Sequence, residues 1–409
     1  MSDEKQMTSK EMLNQLVDKH YQSAIQAKKE GKPVVWATSI SPQELLETMD
    51  LATVYPENHA AAIGARKGAL DFIEKAEGMG YSSDICSYAR VNVGYSVVQH
   101  AEALDIPMPD LLFCCSNICN TVIKWYENLA KTLNIPLVMF DMPFNHTYEV
   151  PEHSVKYMRG QIQHAITQLE DFTKKKFDYD KFGEVMELSN ATCEWWKKAT
   201  DWAKEVPSPL NGFDMFNYMA MIVCMRGNKD GHTLFKLWHD ELEAKAKAGL
   251  GPWNSAEEKY RVMWDGIACW PHLSTTFKAL KSQGINMVTS TYPESWNVRY
   301  EKNDLDGMAR AYASNYANRN LDYDIENVSK LVKDFKLDGI IYHSNRSCKL
   351  MDFRQYEVQR RIEQETGIPS VVFDGDQTDP RNFSEAQYET RVQALVEMME
   401  MKKASGRRG

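Results

Sequence analysis

Short runs of consecutive apolar residues alternate along the chain with longer stretches in which apolar and charged positions recur at helical spacing. PVVWATS (33–39), ATVYPE (52–57), DLLFCCS (110–116) and IPLVMFDMP (135–143) read as strands in the first third. RVMWDGIAC (261–269), INMVTS (285–290), DGIIYHS (338–344) and IPSVVFDG (368–375) read as strands in the last. Continuous rather than alternating apolar runs fit strands buried on both faces. Helical patterns separate them, at 58–77 with Gly78-Met79-Gly80 as the stop, at 119–134 and at 384–403. Ser41-Pro42-Gln43-Glu44 marks one further helix start. This alternation predicts an α/β fold of parallel sheets covered by helices. Residues 1–30 read as an N-terminal helical segment closed by Gly31-Lys32-Pro33. From 151 to 255 long helical patterns such as FKLWHDELEAKAKAG dominate. The expected organisation is that N-terminal segment, a first lobe over 31–150, a helical domain over 151–255 and a second lobe over 256–409. The basic tail SGRRG is expected to fray.

The two α/β segments resemble each other. DLLFCCSNIC (110–119) parallels DGIIYHSNRSC (338–348): an Asp, an apolar strand, Ser-Asn, then a Cys that opens a helix. IPLVMFD (135–141) parallels IPSVVFD (368–374). Two similar lobes facing one another would place a ligand at the carboxyl ends of their strands, where both matched cysteines fall.

Composition narrows the function. With 48 Lys and Arg against 57 Asp and Glu, the net charge is −9, which argues against a nucleic-acid binder and against a polybasic membrane anchor. YMAMIVCM (218–225), the longest apolar run, is far short of the roughly 20 residues that a span needs. The opening MSDEKQMTSKEM carries no signal-peptide pattern, so the expected setting is cytoplasmic, where thiols stay reduced. No P-loop and no G-x-G-x-x-G fingerprint occurs, which argues against ATP or NAD binding.

The eight cysteines divide by position. Cys193, Cys224 and Cys269 lie in or beside apolar patterns and read as packing residues. Cys114 and Cys115 are neighbours on one strand and point to opposite faces. Cys119 and Cys348 each follow a strand and a Ser-Asn turn and open a helix, where the dipole and free N–H groups favour thiolate. Cys86, in SSDICSYAR, also precedes a helical run. Three such thiolates between two lobes could hold an iron–sulfur cluster, a zinc ion, or nothing. Their separations, 119 − 86 = 33 and 348 − 119 = 229 residues, match no compact motif.

Seven stretches, WATSISPQEL (36–45), YPENHAAAIGARKGALD (55–71), DICSYARVNVGY (84–95), CSNICNTVIKWYENL (115–129), SPLNGFDMFNYMA (208–220), YHSNRSCKLM (342–351) and FDGDQTDPRNFS (373–384), make the chain resemble the α subunit of the 2-hydroxyacyl-CoA dehydratases. More distantly it resembles benzoyl-CoA reductase subunits. The resemblance implies that Cys86, Cys119 and Cys348 bind a [4Fe–4S] cluster between the lobes, with one iron left open because only three cysteines match. It implies an oxygen-sensitive radical elimination that converts an (R)-2-hydroxyacyl-CoA to the (E)-2-enoyl-CoA and water through a ketyl radical. It further implies a homologous β subunit and an ATP-dependent iron–sulfur activator. Lactoyl, isocaproyl, phenyllactoyl and 2-hydroxyglutaryl thioesters are all handled by such enzymes, and no cation can be placed at the acyl end to suit a dicarboxylate. An electron-relay subunit, a benzoyl-CoA-reductase-like subunit and a non-catalytic protein with three buried thiols are the alternatives.

Ser39, at the end of the first apolar run, and Glu57, at the end of the second, are the catalytic candidates at this edge. Glu57 would move protons for the leaving hydroxyl or the β-hydrogen, and Ser39 would bond a substrate oxygen. The plainer alternatives are a helix cap for Ser39, a role Ser41 could fill instead, and a turn carboxylate for Glu57. His59 and His343 read equally as structural residues. Asp374, Asp376 and Asp379 read as turn caps before Pro380 rather than a cation site, and Arg66 and Lys67 as a solvated helix face rather than a CoA contact.

Overall fold

The eight apolar runs all become strands, in two parallel sheets of identical order. β1 (Val34–Ala37), β2 (Ala52–Val54), β3 (Leu111–Cys115) and β4 (Leu137–Phe140) are arranged β2-β1-β3-β4. β5 (Tyr260–Asp265), β6 (Ile285–Ser290), β7 (Gly339–Asn345) and β8 (Ser370–Gly375) are arranged β6-β5-β7-β8. The structure, a computed structural model, describes residues 7–253 and 257–406. Residues 1–6 of the N-terminal segment and 407–409 of the basic tail lie outside those described. Every position of β1, β3, β5 and β6 is buried, as helices on both sheet faces require.

The internal repeat extends to single hydrogen bonds. Asp110 Oδ2 accepts from the Val34 amide at 2.9 Å, and Asp338 Oδ2 accepts from the Arg261 amide at 2.8 Å, so each Asp ties the foot of a central strand to its neighbour. At the opposite edge, Ser116 Oγ donates to Asp141 at 3.0 Å and Ser344 Oγ to Asp374 at 3.5 Å.

Helices Glu152–Thr173, Tyr179–Asp201, Gly212–Cys224 and Lys229–Lys247 join the sheets in sequence. Helix Ser9–Lys29 packs on two of these, and Ser9 N donates to Glu241 at 2.7 Å. Gly212 lets a helix start directly on β6: a Cβ there would lie 2.1 Å from the Met287 carbonyl oxygen. Glu44 joins three further elements through short bonds from Ser189 Oγ and Tyr312 Oη, both 2.6 Å, with Arg226 Nε 3.9 Å away. Glu44 and Arg226 are fully buried, so these partners are what makes their charge tolerable. No helix among the described residues is long and apolar enough to cross a membrane.

Three of the boundaries that differ from the sequence reading matter here, and one of them moves a site residue. The helix over 58–77 is two helices, Pro56–Ala65 and Leu70–Gly78, broken where Lys67 takes φ +62° beside Gly68. β2 stops at Val54, and Pro56 stands at the start of the next helix, so Glu57 lies in a first helical turn rather than at a strand end. β5 stops at Asp265 because Gly266 turns the chain with φ +104°, which leaves Cys269 buried beyond the strand.

Candidate functional site

In each sheet the chain leaves the two central strands in opposite directions, which opens a crevice at their carboxyl ends. The two crevices meet in one largely apolar cavity. Ser39, Glu57 and Cys119 reach it from beyond β1, β2 and β3, while Ile267, Tyr292 and Cys348 reach it from beyond β5, β6 and β7. Cys86 completes the set from the start of helix Ser87–Val98. All five site residues singled out in the sequence thus line one cavity.

Ser39 caps no helix. Its amide and its Oγ both donate to Glu57 Oε1, at 3.1 and 3.2 Å. Ser41 makes no cap either; its buried hydroxyl has no partner. Glu57 Oε2 is buried and unpartnered. Burial raises the Glu57 carboxyl to about 7, with the Ser39 bonds only partly offsetting it. A carboxyl poised there both holds and releases a proton at neutral pH.

Each of the three cysteines is the residue that precedes a helix: Cys86 before Ser87–Val98, Cys119 before Asn120–Leu133 and Cys348 before Lys349–Thr366. The amides of Ala89, Val122 and Met351, each three residues on, bear on the sulfurs and favour thiolate. Burial outweighs them: it pushes all three thiols up, Cys348 to about 12. The helix termini alone therefore do not ionise these thiols, contrary to the sequence reading, so any metal they were to bind would have to displace their protons.

Helix Ser87–Val98 belongs to the first sheet, yet the second sheet anchors it. The Ser87 amide donates to Ser347 Oγ at 3.0 Å, and Ser87 Oγ donates to Asp376 at 2.5 Å. Fully buried Arg90 bonds Glu77 at 2.6 Å and Asp379 at 3.0 Å. Burial opposes ionisation of Asp379, but Arg381 and Arg90 hold its carboxyl below the usual range. Asp376 accepts the amides of Thr378 and Asp379, so these aspartates shape the turn before Pro380, as read from the sequence.

The surroundings suit a sulfur-bound cofactor. Gln377 Nε2 donates to Cys86 Sγ at 3.1 Å. Asn345, fully buried three residues before Cys348, leaves both polar side-chain atoms unpartnered, and Asn117 leaves its Oδ1 so. Cys86 feels the charge of both other thiols, and Cys348 that of Cys119. Among the described residues no three His, Cys, Asp or Glu side chains are grouped to hold a single metal ion.

The remaining candidates lie elsewhere. His59 Nε2 meets the Leu104 carbonyl at 2.9 Å and His343 Nδ1 that of Ile267 at 2.6 Å, both rings buried and held neutral by burial. Arg66 bonds the Ala103 carbonyl at the surface. Cys114, Cys115, Cys193 and Cys269 are buried, and Cys224 accepts from Asn58 at 3.2 Å.

Sequence reasoning missed Tyr292 and Tyr88 in the cavity wall. A signal existed: Tyr55-Pro56-Glu57 recurs as Tyr292-Pro293-Glu294, 237 residues on, just beyond the equivalent strand. In the first copy the Glu reaches the cavity; in the second the Tyr does.

A sequence-family model described as 2-hydroxyglutaryl-CoA dehydratase, D-component, matches residues 38–399. The chain is 50% identical over 409 residues to the (R)-2-hydroxyisocaproyl-CoA dehydratase alpha subunit of Clostridioides difficile, covering 100% of this chain and 99% of that protein. It is 45% identical to the lactoyl-CoA dehydratase subunit alpha of Anaerotignum propionicum, covering 98% of each. Identity is also 45% to the (R)-phenyllactyl-CoA dehydratase alpha subunit of Clostridium sporogenes, over 98% of this chain and 97% of that one.

Proposed function

Since the chain belongs to the 2-hydroxyglutaryl-CoA dehydratase D-component family, we propose that it is the substrate-holding α-type subunit of a cytoplasmic (R)-2-hydroxyacyl-CoA dehydratase that takes an uncharged, apolar acyl chain. The reaction removes the 2-hydroxyl and one β-hydrogen as water and leaves the 2-enoyl-CoA. One observation carries the reading: a single apolar cavity gathers Ser39, Glu57 and three cysteines.

Cys86, Cys119 and Cys348 would hold a [4Fe–4S] cluster, and its iron without a protein ligand would supply Lewis-acid and one-electron chemistry. Everything else falls to this chain's own side chains. The Ser39 amide and hydroxyl fix Glu57 Oε1, so the free Oε2 is the atom that gives a proton to the departing hydroxyl or takes one from the β-carbon. Ile118, Val122, Trp125 and Met351 wall the cavity and keep water from the reacting carbons.

Among the described residues Glu57 is the one charged side chain that lines the cavity, and no Lys, Arg or His joins it. A second carboxylate on the substrate would be buried there unpaired, which is strongly unfavourable. Isocaproyl, lactoyl and phenyllactyl chains, named for the relatives, are all uncharged. A polar cavity of about 500 Å3 adjoins the site, sharing Ser295, Asn315 and Tyr316, and carries Arg299 and Arg310. It is the route assigned here to the anionic CoA.

The partners in this reading are a homologous β subunit and an ATP-dependent iron–sulfur activator. The test is anaerobic purification with the partner subunit, assay of iron and sulfide, and turnover of 2-hydroxyisocaproyl-CoA and lactoyl-CoA with activator and ATP. Enoyl-CoA should form without stoichiometric reductant. Absence of iron, or consumption of one reductant per product, would overturn the proposal.

A further inference from the structure

Gln377 lies just beyond β8, in the turn that carries Asp376 and Asp379, and its side chain is fully buried. It does not join the wall of the cavity, so it touches no substrate there. Its Nε2 donates instead to Cys86 Sγ at 3.1 Å, from beyond the last strand of the second sheet to a cysteine of the first lobe, 291 residues away in sequence. Its Oε1 is buried without a partner. A buried amide that leaves its oxygen unbonded is less favourable than an apolar side chain of the same size. Packing therefore does not account for a glutamine at this position; the N–H at the sulfur does.

The backbone on both sides of this amide is clamped. The Gln377 carbonyl accepts from the Trp270 amide at 3.1 Å. Asp376 Oδ1 accepts the Thr378 amide at 3.0 Å and the Ser87 hydroxyl at 2.5 Å. Thr378 Oγ1 in turn donates to Ser87 Oγ at 2.6 Å, on the residue next to Cys86. Thr378 also packs against Gly64, where a Cβ would lie 2.8 Å from its Cγ2, so helix Pro56–Ala65, which carries Glu57, presses on the same turn. A sulfur that has given up its proton to a metal can only accept a hydrogen bond, which leaves the amide one orientation, with its N–H towards Cys86. The turn fixes the place of the donor, and the sulfur fixes its sense.

We propose that Gln377 is a positioning residue whose N–H···S bond to Cys86 raises the reduction potential of the cluster held by Cys86, Cys119 and Cys348. Reduction adds negative charge that spreads onto the ligand sulfurs. A donor aimed at one of them stabilises the reduced state more than the oxidised state. Outer partners of this kind tune a metal site without touching its substrate. The bond also ties the potential to the way the two sheets meet, because donor and sulfur belong to different lobes. The assignment rests on the dehydratase reading above.

The test uses Gln377→Leu, which removes the donor, and Gln377→Asn, which keeps an amide but draws it back by one methylene. Each protein is purified anaerobically with its partner subunit and assayed for iron and sulfide. The cluster is then titrated with dithionite, without substrate or activator, while electron paramagnetic resonance follows the reduced form. Any signal from the partner subunit is common to wild type and both variants. Both variants should keep their iron, and the reduced fraction at a fixed potential should fall about tenfold, a drop in midpoint of about 59 mV for a one-electron couple. An iron-loaded Gln377→Leu or Gln377→Asn protein with the wild-type midpoint would overturn the assignment. So would loss of iron from both variants with the fold intact, since Gln377 would then hold Cys86 in place rather than set the potential. Wild-type protein that binds no iron would instead defeat the cluster reading, which keeps the two failures distinct.

Discussion

Trp296 Nε1 donates a 3.0 Å hydrogen bond to the carbonyl of Ser39, so a residue following β6 of one sheet holds the residue that holds Glu57 in the other. Tyr292 packs edge-on against the same indole at 5.0 Å. The position of the carboxylate therefore depends on how the two sheets meet, and so does the position of the phenol opposite it.

Replacing Glu57 by Gln separates chemistry from assembly. The amide keeps the shape and can still accept from Ser39, but it carries no transferable proton. Iron content and the visible absorption of the cluster should match wild type, while kcat falls by at least about 100-fold, within the usual range for a lost acid–base group. Unchanged turnover would remove Glu57 from the reaction.

The same variant reports on stability. Burial raises the Glu57 carboxyl from the ordinary 4.5 to about 7, so the folded state holds a proton that the unfolded state has released between those values. Its contribution is fully present below pH 4.5 and is lost as pH rises through about 7. Wild type should lose up to about 3 kcal/mol relative to Glu57→Gln across that window. Urea midpoints of both proteins at pH 5 and pH 8 measure it; parallel pH curves would show that Glu57 does not titrate in this way.

All eight strands and the repeat were legible in the sequence because strands buried on both faces leave unbroken apolar runs. Position singled out the three cysteines, each before a helix, and the family resemblance is what joined them into one set between the lobes. Periodicity could not show their convergence, since Ser87, Ser347 and Asp376 make polar contacts between segments more than 250 residues apart that leave no periodic trace. Glu57 was placed at a strand end because Tyr55-Pro56 continues the apolar run of β2; Pro at the first helical position was the overlooked signal. Tyr292 was missed because a single aromatic beyond a strand is indistinguishable in sequence from a core residue.

Arg90 tests how firmly Cys86 is held. Its side chain is fully buried between Glu77 and Asp379, the latter almost as deep. Arg90→Met removes the cation and leaves Asp379 with Arg381 alone. The expected loss is about 3 kcal/mol, the low end for a broken buried ion pair because Arg381 still pairs. Iron retention should fall with it, as helix Ser87–Val98 loosens. A variant with wild-type urea midpoint would show that Arg381 carries the pairing.

Single Cys→Ala variants at 86, 119 and 348 should each lose iron and sulfide while far-ultraviolet circular dichroism is retained, because under the proposed function each sulfur would be a ligand, and each residue is only partly buried. Cys224→Ala serves as the control and should keep its full iron. Equal iron in all four variants would refute the triad.

Chain selectivity follows from the charge of the cavity wall. Among the described residues no cation lines the cavity, so a substrate that ends in a carboxylate must bury an unpaired charge beside Glu57, itself partly ionised at neutral pH. 2-Hydroxyglutaryl-CoA should therefore show kcat/KM at least about 100-fold below 2-hydroxyisocaproyl-CoA, since an uncompensated buried polar group costs a few kcal/mol. The deficit should shrink in Met351→Arg, which adds a cation to the cavity wall, while the apolar substrate suffers. Arg299→Glu, at the rim of the adjoining polar cavity, acts on the other end of the substrate and should raise KM for every acyl-CoA alike without changing the preference between chains. A dicarboxylate turned over as well as the apolar chain by wild type would mean that the acyl group does not occupy this cavity.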